Sequence, residues 1–300
     1  TASQPVVPVV YVCEADSEEK ADRIHRLVWN QDVVPFLLVY TPFGVKLYSG
    51  FRHSVSKSGA ESGILQPLTA FNRLSDLVQV FCRDSIDSGR LWHERGKDIA
   101  PEHRVDWKLL DNLRTLDQYL RRDLGTDASH ALIGKYVYLH YLRDRDILSP
   151  KKLQRWGIEK SAVFGRDATI DGLRAVIDRL ERWLNGSVFP LDFDSRSAPK
   201  EKHIRCTAAV FAGDEVSEIG DRQLSLDFSA YDFCFIPIET LSIVYEQFLD
   251  APDKSERTSR RKELGHYYTP IPVVNLMLAE LDERRPLNKG MRVLDPACGS

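Results

Sequence analysis

Two short stretches near the end of the chain bring together residue types that do chemistry. One is GHYYTP, residues 265 to 270, in which two aromatic rings precede a threonine and a proline. The other is VLDPACGS, residues 293 to 300, in which an apolar pair runs into Asp295 and then into Pro296, Ala297, Cys298 and Gly299. A strand that ends in an acid and a glycine loop lets backbone N–H groups approach a nucleotide-like ligand at the carboxyl edge of a parallel sheet. The glycine is needed because a Cβ would block that approach. Taken alone, one Asp and one Gly fit an ordinary strand and loop equally well.

The elements around these stretches are the ones such a site needs. PIPVVNLMLAEL carries Val273, Val274, Met277, Leu278 and Leu281 at helical spacing, with Thr269 placed to cap the helix and Pro270 at its first position. A helix therefore starts directly after the two tyrosines. KGMRVL then predicts a turn at Gly290 and a buried strand, MRVL, that delivers Asp295 to the loop.

In order and spacing, GHYYTP, the amphipathic helix and VLDPACGS resemble motif X and motif I of adenine-N6 DNA methyltransferases of the type IIG restriction-modification and phage-defence kind. Upstream, IPIETLSIVYEQFLD is similar to the segment that introduces the methyltransferase domain in those enzymes, and ALIGKYVYLHYLRDRDIL to their helical spacer. The resemblance implies a Rossmann-like domain that uses S-adenosylmethionine. Tyr268, Thr269 and Pro270 would line the cofactor pocket, and Asp295, Pro296, Ala297 and Gly299 would form the floor under the methionine part. An aromatic face beside the cationic sulfonium is worth roughly 0.5 to 2 kcal/mol. Tyr267 and Tyr268 as half-buried core aromatics are the plainer alternative.

The family's catalytic tetrapeptide, Asn or Asp followed by Pro-Pro and an aromatic, holds an adenine flipped out of the duplex. It does not occur between Thr1 and Ser300, and neither does the acid expected about 20 residues past the glycine loop. Catalytic residues are therefore expected downstream of Ser300. This stretch by itself is expected neither to methylate nor to bind the cofactor tightly, while the parent protein does both. A methyltransferase acting on RNA or on protein glutamine, and a docking or DNA-binding module of a multi-subunit defence complex, are the other readings.

The rest of the chain predicts an α+β protein in four parts. Residues 1–53 read as a small α/β module: an apolar run, a helix opened by Asp16 or Ser17, and a hairpin turning at Pro42 and Gly44. SVSKSGAESG, 54 to 63, has the composition of a flexible loop. Residues 64–186 read as a helical spacer of four or five helices. Leu113, Leu116, Leu120 and Leu124 share one face; Leu132, Ile133, Tyr136, Val137, His140 and Tyr141 share another. Thr169 and Gly186 are placed to cap its last helix. Residues 187–253 read as a connector, weakly patterned from 187 to 230 with FPLDFDSRSAPKEKH as loop, and then a short strand, YDFCF, leading into a helix at Pro237. Residues 254–300 begin the methyltransferase domain.

A nuclease of the PD-(D/E)xK kind at the N-terminus would need an acid and an E-x-K on neighbouring strands to bind magnesium. Glu18 and Lys20 match E-x-K, yet they fall where a helix opens and its dipole favours Glu. A nuclease-like fold without its acids and an unrelated docking module both remain open.

Bulk properties set limits. A net charge of -3 supplies no global basic field for a nucleic acid, so contacts with double-stranded DNA must be local. Arg257, Arg260, Arg261 and Lys262 form the one basic run near the motifs, with a solvated linker as its bland alternative. Five scattered cysteines, no long apolar run and no leader pattern predict a reduced, cytoplasmic protein with no membrane partner. Helicase or nuclease subunits of a defence system are the protein partners that the resemblance implies. LRDRD, 142 to 146, reads as a helix-terminal charge network, and Trp92, Trp107, Trp156 and Trp183 as core.

Overall fold

A computed structural model describes residues 8–53, 64–68, 74–195, 198–213, 228–249, 271–286, 288–292 and 294. The chain divides into two compact units, Thr1–Pro237 and Ile238–Ser300.

The first unit opens with strand β1 (Val10–Glu14), helix α1 (Glu18–Gln31) and the hairpin β2 (Phe36–Thr41) and β3 (Gly44–Ser49). Ser17 caps α1, its hydroxyl accepting from Lys20 N at 3.3 Å, and Asp32 ends the helix in the left-handed conformation, φ 54. β1 pairs parallel with β2, and β2 pairs antiparallel with β3, Thr41 facing Gly44 across the expected turn. β2 is buried on both faces. Leu37 and Val39 pack with Ala21 and Val28 of α1, while Phe36 and Leu38 pack with Leu91 on the other side. Gly50 closes the hairpin where a Cβ would lie 1.9 Å from Val34 O.

The sheet has a fourth strand, β4 (Ile64–Leu68), antiparallel to β3. Sequence reading began the helical part at 64, and this is a correction. ILQPL is too short to show alternation, and its Pro67 argues against a central strand; at the edge of the order β1-β2-β3-β4 a proline is tolerated. The loop assigned to 54–63 lies outside the described residues.

Helices α2 (Leu74–Val80), α3 (Arg83–Asp87) and α4 (Arg90–Arg95) cover the sheet and lead to α5 (Val105–Asp144). Leu113, Leu116, Leu120 and Leu124 are buried as their spacing predicts, and so are Leu132, Ile133, Tyr136 and His140. α5 is broken at Gly125 (φ 72, ψ 173). A buried polar cluster spans the break: Asp117 pairs with Arg121 and accepts from Ser129 Oγ at 2.7 Å, and His130 lies 3.6 Å from the same carboxylate. The two halves are thus held by charge where the helical hydrogen bonds lapse.

After α6 (Pro150–Arg155) comes α7 (Ile170–Leu184), capped by Thr169 as expected. At its end Asn185 takes the left-handed conformation, φ 53, that had been expected of Gly186. Asn tolerates αL because its short polar side chain bonds locally. A second correction is helix α8 (Glu201–Phe211), which begins inside the segment read as loop and runs through residues whose pattern is weak. The polar FPLDFDSRSAPKEKH before it hides the onset, where His203 Nδ1 accepts from Lys200 N at 3.0 Å. A third is YDFCF, which is a turn and not a strand: Asp232 accepts from Cys234 N through its side chain and from Phe235 N and Ile236 N through its carbonyl.

The α/β module and the helices form one unit because residues 228–233 return to α1. Asn30 donates to Ala230 O at 3.0 Å and accepts from Asp232 N at 2.9 Å. Beside it Trp29 stacks on Tyr231, ring centroids 5.6 Å apart, and donates to His103 O. Asn30→Ala should cost about 3 kcal/mol in denaturant unfolding, because a buried carbonyl and a buried N–H both lose their partner. A loss under 0.5 kcal/mol would show that solvent reaches the joint.

His140 lies among Phe164, Phe211 and Phe233, and its Nε2 has no hydrogen-bond partner among the described residues. Burial pushes its pKa well below 6.5, and the charges of Arg143 and Lys160 add to the effect. The folded chain keeps this ring neutral, so the unfolded chain takes up the proton first as pH falls. Its stability contribution is full above 6.5 and lost below it. Asp32 works the other way: burial raises its carboxyl to about 6 despite Arg104 at 2.9 Å, so its contribution is lost as pH rises through that value. His140→Phe should therefore flatten the fall in thermal midpoint between pH 7 and pH 5.5, measured against the parent chain.

Candidate functional site

The residues singled out for a cofactor, Tyr268, Thr269, Pro270, Asp295, Pro296, Ala297 and Gly299, lie outside the described residues, as do Arg257, Arg260, Arg261 and Lys262. The elements that flank them are described. Helix α9 (Ile238–Leu249) starts just past Pro237 and buries Leu241, Val244 and Phe248 at helical spacing. Helix α10 (Ile271–Arg284) follows Pro270, where the apolar spacing predicts a helix, while the expected cap residues Thr269 and Pro270 lie outside the described residues. The turn follows at Asn288 to Gly290, with Gly290 at φ 89 and Met291 N bonded to Asn288 O at 3.1 Å.

The strand expected at MRVL lies only partly within the described residues, Val293 and Asp295 being outside them. Met291, Arg292 and Leu294 have no strand pairing, and Leu294 is 84% exposed. A strand of this kind depends on neighbours on both edges for its backbone hydrogen bonds, and none of the described residues from 238 onward is a strand. On α10, Leu276, Met277, Leu278 and Leu281 are each more than half exposed.

At the end of the first unit, the LRDRD network has a specific task. Arg145 donates from Nε to Phe233 O at 3.3 Å and from Nη2 to Ile236 O at 3.2 Å, while Asp144 Oδ2 accepts from Phe233 N. The guanidinium rests over the Tyr141 ring, 4.6 Å from its centroid. These bonds fix the backbone that leads up to Pro237. Their signal in the sequence was only a charge pattern, and what the charges hold is distant in the chain.

In the α/β module, Glu18 and Lys20 lie in the first turn of α1, as the dipole argument expects. Glu18 pairs with Lys46 of β3, and Lys20 with Asp16. Among the described residues no group of three His, Cys, Asp or Glu side chains could hold a metal ion. Three of the four tryptophans read as core are well exposed: Trp92 at 39%, Trp107 at 56% and Trp183 at 47%. Each sits on a helix whose inward face is already filled by leucines such as Leu91, Leu109 and Leu180.

Residues 237–300 match a family model described as N-6 DNA Methylase. No curated protein and no solved structure matches the chain. No helix among the described residues is long and apolar enough to cross a membrane.

The matched segment begins just after the turn that Asp144 and Arg145 grip. Arg145→Ala should lower stability by about 2 kcal/mol, since two carbonyls lose a charged donor. Limited proteolysis should then cut faster near residues 233–237, and an unchanged cleavage rate there would show that the clasp does not hold the turn.

Proposed function

We propose, from the likeness of residues 237–300 to N-6 DNA methylases, that the protein transfers methyl groups from S-adenosylmethionine to adenine N6 in double-stranded DNA. The observation that carries this is the order GHYYTP, helix, turn, VLDPACGS inside the matched segment, together with the helix Ile271–Arg284 and the Gly290 turn between the two motifs. Bound S-adenosylmethionine supplies a methyl group on a cationic sulfur.

The chain's own part is positioning. Tyr268 offers an aromatic face to that cation, with Thr269 and Pro270 setting the turn from which the helix rises. Asp295, Pro296, Ala297 and Gly299 would form the floor under the methionine part, with the backbone N–H groups of Ala297 and Gly299 available to it, as glycine permits. Holding the reacting atoms in line is worth several kcal/mol by itself. Arg257, Arg260, Arg261 and Lys262 meet DNA phosphates, each contact adding to the salt dependence of binding. The setting we favour is restriction-modification or phage defence in the cytoplasm, alongside helicase or nuclease subunits.

The test is methyl transfer from labelled S-adenosylmethionine to a duplex by the intact parent protein, which carries the catalytic residues expected downstream of Ser300, with N6-methyladenine read by digestion and mass analysis. Asp295→Ala should reduce the rate by about 100-fold, equivalent to about 2.7 kcal/mol. Label found on RNA or on protein glutamine, or a rate indifferent to Asp295, would overturn the assignment.

A further inference from the structure

The sheet of the first unit has two edges, and they are built differently. At one edge β4 carries Pro67, which has no N–H to offer a further strand. At the other, β1 reads Val10, Tyr11, Val12, Cys13 and Glu14, with neither the proline nor the lysine that commonly closes an edge to another chain. The register fixes which of its backbone groups face outward. Val10 lies opposite Phe36, Phe36 N donates to Val9 O and Ala15 N donates to Tyr40 O, so Tyr11 and Cys13 turn their N–H and C=O groups to β2. Those of Val10, Val12 and Glu14 point away from the sheet, and no described residue bonds to them.

The side chains single out the same edge. Val10, Val12 and Glu14 share the face opposite α1. Val12 is 61% exposed at the centre of the strand, and Glu14 is exposed with no ion pair among the described residues. Where β1 begins, Val9, Val10, Phe81 and Ile86 line an open pocket whose remaining wall is Arg83 and Asp87 of α3. Arg83 donates to Asp87 through Nε at 3.1 Å, which leaves both Nη groups of an exposed side chain for a second carboxylate.

We propose that β1 pairs antiparallel with β1 of a second copy of this chain, about a two-fold axis at Val12, and so joins two sheets into one. A two-fold interface sets a patch against itself, and this patch is complementary to itself. Val12 faces Val12, and Val10 faces Glu14 of the other copy, each pair with its outward N–H and C=O groups directed at one another. Paired residues project on one face of a sheet. Each Glu14 therefore arrives at the pocket where the opposite β1 begins, beside Arg83. An unrelated strand would satisfy the backbone but not the acid at one end and the guanidinium at the other; an antiparallel copy matches both. With five residues on each side the pairing is short, so the dissociation constant is on the order of 10 µM.

The experiment is sedimentation equilibrium of the full chain from about 1 to about 200 µM, a range that brackets that constant. The parent should pass from monomer to dimer. Val12→Pro removes an N–H that β1 does not use against β2, so the variant should stay monomeric with an unchanged circular dichroism spectrum. Glu14→Arg, which sets like charges together, should weaken the dimer about tenfold, and Glu14→Arg with Arg83→Glu should return to within about threefold of the parent. Should the proline disturb folding, the charge exchange decides alone.

A parent chain that stays monomeric throughout the range overturns the inference. A dimer that survives Val12→Pro, or a double variant no better than Glu14→Arg, also overturns it, because each places the contact elsewhere. Methyl transfer is not involved, so none of these results bears on the methylase reading.

Discussion

The first unit depends on a single side chain amide. Asn30 sits at the last turn of α1, fully buried, and its donor and acceptor meet Ala230 O and Asp232 N, two hundred positions away in the chain. A buried amide is tolerated only when its hydrogen bonds are made, so the turn at 228–233 has one place to go. Trp29 and Tyr231 stack beside it, and Asn112 of α5 donates to the Tyr231 hydroxyl at 2.9 Å. Sheet, long helix and returning turn meet at this point, and a late stretch of sequence becomes part of the N-terminal core.

From that joint the chain reaches Pro237 under close control. Asp144 and Arg145 at the end of α5 take up the backbone groups of Phe233 and Ile236. The same helix is clasped across its Gly125 break by Asp117, Arg121, Ser129 and His130. These polar contacts specify direction more than they stabilise: a buried charge pair roughly breaks even against apolar packing, while loss of one partner is costly. The stabilising work is done by leucines on α5 and α7 and by the ring cluster of Tyr136, Phe211 and Phe228.

Charge on the outer surface follows a different logic. Several exposed cations are matched locally, often at i and i+4 on one helix, where each pair is worth a few tenths of a kcal/mol.

Local signals determined much of this protein. The N-terminal strand, helix and hairpin, the Ser17 and Thr169 caps, the buried faces of α5 and the helices that begin after Pro237 and Pro270 were all legible, because each rests on periodicity or a cap within a few residues. The motif residues themselves were legible only as a pattern of types, GHYYTP before VLDPACGS, and they remain an inference from sequence. Tertiary structure alone decided the edge strand β4, whose proline suits an edge but not a centre, and the turn at YDFCF, whose apolar rings mimic a strand while Asp232 bends the backbone. It alone put Lys152 on Trp183 and Asn30 on Ala230. The physical reason is range: capping and amphipathicity act over one or two helical turns, whereas these contacts join residues whose separation along the chain leaves no trace in spacing.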